Sequence, residues 1–148
     1  MLLQHGKGKF EFAIVVAVLG ILASLLLARL QAIEEETERT EVELTVRNMR
    51  VGIQLAIGER IIRGEEGRID EVAQANPFDY LGQRPRGLAD GRVATEAGQW
   101  AYDPIRRELS YRPRLPGAFG NAETLRWNYV ASRDENGKSF GVNLVRRN

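Results

Sequence analysis

A single carboxylate lies inside the longest apolar segment of the chain. Residues 10–30 read FEFAIVVAVLGILASLLLARL, and Glu11 is the only acidic residue among them. A charged side chain in hydrocarbon costs about 3 kcal/mol and is retained where it reaches the interface or pairs with an opposite charge. Glu11 can therefore act as an interfacial carboxylate beside Lys9, or it can neutralise an ammonium group of a neighbouring chain at the same depth.

The rest of the sequence offers little catalytic chemistry. His5 is the only histidine and there is no cysteine, so the usual groups of a nucleophilic or metal-assisted site are missing. Acidic residues cluster at 34–36, 65–71 and 134–135, where a solvated helix face, a helix cap and a turn account for them. The side chains of 134–136 offer oxygen ligands of the kind that calcium prefers, but the predicted turn already uses these residues. We expect no enzyme activity, no metal and no cofactor.

Acidic and basic residues are concentrated in different parts of the chain, and their numbers are nearly equal. The net charge is +1 and the sequence pI is about 8.1, yet acidic residues crowd 34–43 and arginines recur at 84–92 and 146–147. A solvated surface accounts for these arginines better than a nucleic-acid footprint does. We therefore expect no nucleic-acid partner.

The apolar segment is long enough to cross a bilayer. Residues 12–28 carry no charge, and they give roughly 25 Å of helix at about 1.5 Å per residue. A secretory signal peptide is usually shorter and ends at a cleavage site of small residues, and a small soluble domain cannot surround a helix that is apolar on every face. Basic residues precede the segment and 34–36 are acidic, so the positive-inside tendency predicts a cytoplasmic amino terminus.

Helical periodicity continues beyond this segment. Apolar residues recur at three- and four-residue steps as far as Ile61, and no proline precedes Pro77. The pattern predicts one helix over 10–63 with Gly64 as its cap. The stripe from Val42 to Ile61 is predicted to lie beneath the chain's own head domain; a coiled coil is less favoured because strict heptads are not sustained. Glycines within the helix are predicted to be weak points or points of close packing.

The remaining residues predict a small sheet. A short helix is predicted over 69–75, ending before Pro77, and a loop follows over 81–98. The fold class predicted is α+β: a long amino-terminal helix packed against a small antiparallel sheet of about four strands. Alternating apolar residues place these strands at 99–103, 108–112, 124–132 and 139–146, with turns at 104–107 and 134–137.

Residues 11–23, EFAIVVAVLGILA, carry a family resemblance. They are similar to the amino-terminal segment of type IV pilins and of the pseudopilins of type II secretion. In that family a short leader ends in glycine, a prepilin peptidase cuts after it, the new amino terminus is methylated, and the fifth mature residue is glutamate.

With Glu11 as the fifth mature residue, the resemblance implies cleavage between Gly6 and Lys7. A cut after Gly8 would make Glu11 only the third residue. Lys7 departs from the apolar first residue that is usual in the family, and the leader contains His5 but no lysine or arginine. The implied organisation is a leader over 1–6, a transmembrane and assembly helix over 7–30, its periplasmic continuation over 31–64, a short helix and loop over 65–98, and the sheet over 99–148.

The resemblance also implies a function. In the family this glutamate pairs with the amino-terminal amine of the adjacent subunit in a helical fibre, which gives Glu11 its expected role. The chain would be a structural subunit that assembles through its hydrophobic helix into a pilus or a secretion pseudopilus. Its partners would be like subunits, other pilins or pseudopilins, the prepilin peptidase and the bacterial inner membrane.

Two further expectations concern the type of subunit. The lack of the carboxy-terminal cysteine pair that is common in major type IV pilins favours a pseudopilin or minor pilin. The alternative is a non-polymerising single-pass membrane protein whose periplasmic head binds a partner.

Overall fold

The structure consists of one long helix, a short helix and a four-stranded antiparallel sheet. The computed structural model describes the backbone of residues 5–147 and the side chains of residues 8–147. The chain divides into two compact units, the first ending at Thr37 and the second, here called the head, beginning at Glu38. The elements are α1 (His5–Ile62), α2 (Ile69–Gln74), β1 (Gln99–Asp103), β2 (Glu108–Arg112), β3 (Leu125–Arg133) and β4 (Ser139–Arg147), with 3₁₀ turns at Glu66–Arg68, Pro77–Tyr80 and Pro116–Phe119.

The core of the head lies between α1 and one face of the sheet. Spacing by three and four residues brings the buried helix residues onto one stripe. The predicted burial of this stripe is confirmed except at Ile61, which lies in the last turn of α1 and is 49 % exposed. The helix contributes Val42, Val46, Met49, Ile53 and Ile57, all at most 4 % exposed.

The end of α1 is shaped by a glycine in the left-handed region. Gly64 has φ +70°, its N–H donates to the carbonyl of Ile61 at 3.0 Å, and the N–H of Glu65 donates to the carbonyl of Arg60 at 2.8 Å. These bonds satisfy carbonyls that a helix end leaves unpaired. The predicted cap is therefore confirmed, with the helix itself ending at Ile62.

The sheet is a meander of order β1-β2-β3-β4. Register pairs Tyr102 with Leu109 and Leu109 with Trp127, so strand alternation brings these residues to the helix-facing side. The rings of Trp100 and Trp127 stack with centroids 5.7 Å apart. The α+β prediction is confirmed; β1 and β2 have the predicted bounds. β3 begins and ends one residue later than predicted, and β4 ends one residue later.

Each edge of the sheet is partly covered by hydrogen bonds. At the β4 edge, the Arg50 guanidinium donates to the carbonyl of Leu144 at 2.8 Å, and the amide of Gln54 donates to the carbonyl of Val142 at 3.5 Å. At the β1 edge, the N–H of Trp100 donates to the carbonyl of Gly87 at 2.9 Å. These bonds occupy part of each edge at which a further strand could pair.

A close approach between α1 and the turn at Pro77–Tyr80 requires Gly52. A Cβ atom at this position would lie 1.9 Å from the carbonyl oxygen of Tyr80. Gly52 is therefore a point of close packing, which is one of the two roles predicted for glycines within the helix.

Candidate functional site

The amino-terminal part of α1 presents apolar side chains on all sides. Every residue from Gly8 to Glu34 is exposed, including Phe10 at 68 % and Leu26 at 72 %. Soluble surfaces rarely carry so large a contiguous apolar area, which is typical of a membrane-spanning or interaction segment. Within the described residues, α1 is long and apolar enough to cross a membrane.

Glu11 lies near the amino end of this apolar segment, as predicted. Its side chain is exposed, and among the described side chains no basic group comes within 4.0 Å of its carboxylate. Gly6 and Lys7 belong to α1 by their backbone, but the side chain of Lys7 and all of residues 1–4 lie outside the described residues. The predicted leader and cleavage site therefore stay predictions.

A second exposed apolar feature continues along α1 in the head. Leu44, Val51, Leu55 and Ile62 are 48 %, 52 %, 70 % and 88 % exposed. At about 100° per residue they lie on the side of the helix opposite Ile53 and the rest of the buried stripe. The head therefore keeps one apolar face of α1 in its core and leaves another open for contact.

A buried carboxylate ties the head's first helical turn to the chain after β2. The side chain of Glu38 is 1 % exposed and accepts hydrogen bonds from the Tyr111 hydroxyl at 2.7 Å and from the N–H groups of Arg114 and Leu115 at 2.6 and 2.8 Å. Burial, followed by the hydrogen bond to Glu38, raises the pKa of the Tyr111 hydroxyl. In this cluster, here called the Glu38 latch, both carboxylate oxygens of Glu38 accept hydrogen bonds.

The Glu38 latch was not predicted from the sequence, because Glu38 lies within the acidic segment 34–43. A signal was present, because Glu38 lies four residues before Val42 and so continues the buried stripe of α1. An acidic residue at a core position of an amphipathic helix indicates a buried hydrogen-bonded carboxylate.

The acidic clusters at 65–71 and 134–135 are engaged in local structure. Arg68 bonds to Glu71 at 2.9 Å and to Glu65 at 3.4 Å, and the hydrogen bond from Arg68 lowers the pKa of Glu71. The carboxylate of Asp134 accepts from the N–H groups of Asn136 and Lys138 at 3.0 and 2.8 Å, which is the turn use that competes with calcium. Among the described residues, no group of three or more His, Cys, Asp or Glu side chains is placed to hold a metal ion.

The comparisons with known proteins found no match. No family model matches the chain, and no curated protein or solved structure does so either. Function must therefore be inferred from this chain's own residues.

The described structure does not bring Glu11 together with another charged group of its own chain. What it brings together is the apolar stripe of α1 and the sheet, and it leaves exposed the apolar segment and the opposite face of the helix. These surfaces can associate with apolar material, and the carboxylate of Glu11 can pair with one positive charge. Neither requires a cofactor.

Proposed function

We propose that the chain is a pilin-like structural subunit, a pseudopilin or minor pilin, that assembles through its apolar amino-terminal helix into a pilus or secretion pseudopilus. The observation that carries the proposal is Glu11, a lone carboxylate near the head of an exposed apolar helical segment. An unpaired carboxylate at the centre of a bilayer costs about 3 kcal/mol, although the penalty is smaller near the interface. A neighbouring subunit's amino-terminal ammonium removes that penalty only when the two helices lie in the correct register.

The head supports assembly by helix contacts instead of by sheet extension. Arg50 and Gln54 occupy two carbonyls of one sheet edge and the backbone around Gly87 occupies part of the other, which disfavours addition of a strand at these positions. The exposed face of α1 at Leu44, Val51, Leu55 and Ile62 extends the contact surface into the head. These features favour a fibre subunit over a protein that uses its helix only as an anchor.

In this proposal the amino terminus is cytoplasmic and the head periplasmic. Lys9 precedes the apolar segment and Glu34–Glu36 follow it, which matches the positive-inside tendency. The partners are like subunits, other pilins or pseudopilins, and the prepilin peptidase that removes 1–6.

The test is a Glu11→Ala variant, compared with Ser24→Ala as a control in the same helix. The Ser24 hydroxyl already donates to the carbonyl of Gly20 at 2.8 Å, so its loss removes a polar group without a predicted intersubunit role. Both variants should resist alkaline extraction from membranes, and only Glu11→Ala should lose sedimentable fibres. Unimpaired fibre formation by Glu11→Ala contradicts the pairing role, and a wild-type chain that never forms fibres supports a non-polymerising anchor.

A further inference from the structure

A groove with arginine at its rim lies in the head between α1 and the sheet. It has a volume of about 600 Å³, and the buried side chains of Val46 and Trp127 lie in its floor. Four arginines and one glutamate, Glu43, line it. The arginines of this groove, here called the arginine groove, are Arg39, Arg47, Arg50 and Arg146.

Within the described part of the chain, Arg39 alone of these four arginines has a carboxylate within 4.0 Å. Arg50 donates to the carbonyl of Leu144, and Arg39 lies 3.8 Å from the carboxylate of Glu43. Among the described side chains, no carboxylate comes within 4.0 Å of Arg47 or Arg146. Exposed guanidiniums above an apolar floor form a surface suited to a carboxylate ligand that also carries apolar groups.

The same chain contains a segment of that composition. Glu34, Glu35 and Glu36 are consecutive in α1, and none forms an ion pair of 4.0 Å or less within the described part of the chain. Three consecutive helical residues cover about 200° of the helix circumference, so a carboxylate faces almost any neighbour. The exposed side chains of Leu30 and Ile33 lie in the preceding turn. Residues 34–36 are here called the acidic collar.

We propose that the arginine groove of one copy binds the acidic collar of a second copy; this inference rests on the proposed assembly. The net charge of the chain is only +1, so its acidic and basic residues nearly balance. Association of two copies would bring the negative collar of one against the positive groove of the other. The apolar side chains beside the collar can pack against the apolar floor of the groove. A fully hydrated polyanion has no apolar groups to make that contact. The combination of carboxylates with adjacent exposed apolar side chains therefore favours a second copy over nucleic acid or another soluble polyanion.

The spacing along α1 is consistent with the pairing proposed for Glu11. Lys7 precedes Glu11 by four residues, and Glu35 precedes Arg39 by four residues. A neighbour displaced by four helical residues, or about 6 Å, satisfies both offsets at once. The collar is thus a second determinant of subunit register.

Cysteine cross-linking tests the contact directly, because the native chain has no cysteine. A Glu35→Cys chain and an Arg39→Cys chain, carrying tags of different length, are co-expressed as full-length proteins and oxidised in membranes. We expect a mixed dimer at about ten times the yield obtained when Glu35→Cys is combined with Arg84→Cys on a distant loop. Equal yields from the two combinations overturn the proposal.

Charge exchange separates this inference from the proposed function. Arg39→Glu with Arg47→Glu, or Glu34→Arg with Glu36→Arg, should each reduce fibre yield about tenfold, and the fourfold exchange in one chain should restore it. Arg84→Glu with Arg106→Glu is the control of equal charge change and should have no effect.

Each outcome has a defined meaning. If Glu11→Ala abolishes assembly while both charge pairs leave it intact, the collar contact is wrong and the proposed function stands. If the wild-type chain never assembles, both are wrong. If the wild type binds heparin, the Arg39 and Arg47 variant does not, and the fourfold exchange fails to restore fibres, the groove serves a soluble polyanion and the inference is overturned.

Discussion

Removing the buried carboxylate of the Glu38 latch should destabilise the head strongly. Glu38→Ala leaves the Tyr111 hydroxyl and the N–H groups of Arg114 and Leu115 without their acceptor. A hydrogen bond to a charged group contributes about 1.5–3 kcal/mol, and an unsatisfied buried group costs about 1–3 kcal/mol. Since water can reach the two partly buried N–H groups, we expect a loss of about 3–4 kcal/mol in the free energy of unfolding.

Two variants calibrate this value. Glu38→Gln keeps the shape and one acceptor oxygen but introduces a donor among donors, so we expect a loss of about 1–2 kcal/mol. Glu41→Gln removes the charged partner of the Arg114 side chain, whose guanidinium lies 2.8 Å from the Glu41 carboxylate. Because the Glu41 side chain is 62 % exposed, its loss should cost less than about 1 kcal/mol.

The assay is guanidinium denaturation of the full chain in detergent, followed by tryptophan fluorescence. Trp100 and Trp127 are 4 % and 5 % exposed in the core, so their emission reports unfolding of the head. The midpoint should fall in the order wild type, Glu41→Gln, Glu38→Gln, Glu38→Ala, with an unchanged slope. A Glu38→Ala midpoint equal to that of Glu41→Gln would refute the interpretation of Glu38 as a buried latch.

Two further predictions concern the same unfolding transition. Gly52→Ala should cost about 1–3 kcal/mol, because its methyl group meets the carbonyl of Tyr80, whereas Gly58→Ala, with nothing within 4 Å, should gain up to about 1 kcal/mol from helix propensity. An equal effect of the two substitutions would contradict the close packing at Gly52. Burial raises the pKa values of Tyr111 and Tyr129, so the folded state holds these protons more tightly than the unfolded state does. Their contribution is fully present below the ordinary tyrosine pKa of about 10 and should decline as pH rises above it, and replacing either with phenylalanine should flatten the decline in a series of denaturation midpoints.

Much of the fold follows from periodicity in the sequence. Alternation of Trp100 and Tyr102 with the smaller or polar residues of 99–103 predicted the bounds of β1, and the three- and four-residue steps from Val42 predicted the buried stripe of α1. The helix pattern records burial on one face of a regular element, whereas β1 is buried on both faces at its centre. The left-handed conformation at Gly64 was predictable for the same local reason.

The features that escaped prediction depend on contacts between distant residues. The role of Glu38 becomes visible only when the chain after β2 returns to α1, with donors more than seventy residues away. The loop at 81–98 was predicted, but its pairing of Gly87 with Trp100 at the edge of β1 was not, because irregular segments carry no periodic signal. The arginine groove likewise combines Arg146 of β4 with helix residues.

The functional site divides in the same way. The exposed apolar segment and the place of Glu11 in it were predictable, because length and composition alone limit what a long apolar helix can do. The partner of Glu11 is a property of an assembly, and no pattern within one chain defines it. Measurements on assembled chains are therefore the way to identify the partner of Glu11.

The most direct test of the account is the intact mass of the full-length protein after expression with a prepilin peptidase and extraction from membranes. A pilin-like subunit should lack residues 1–6, begin at Lys7 and carry one additional methyl group. A chain recovered at its unprocessed mass of 16.6 kDa would contradict the assignment and support a membrane-anchored protein that does not polymerise.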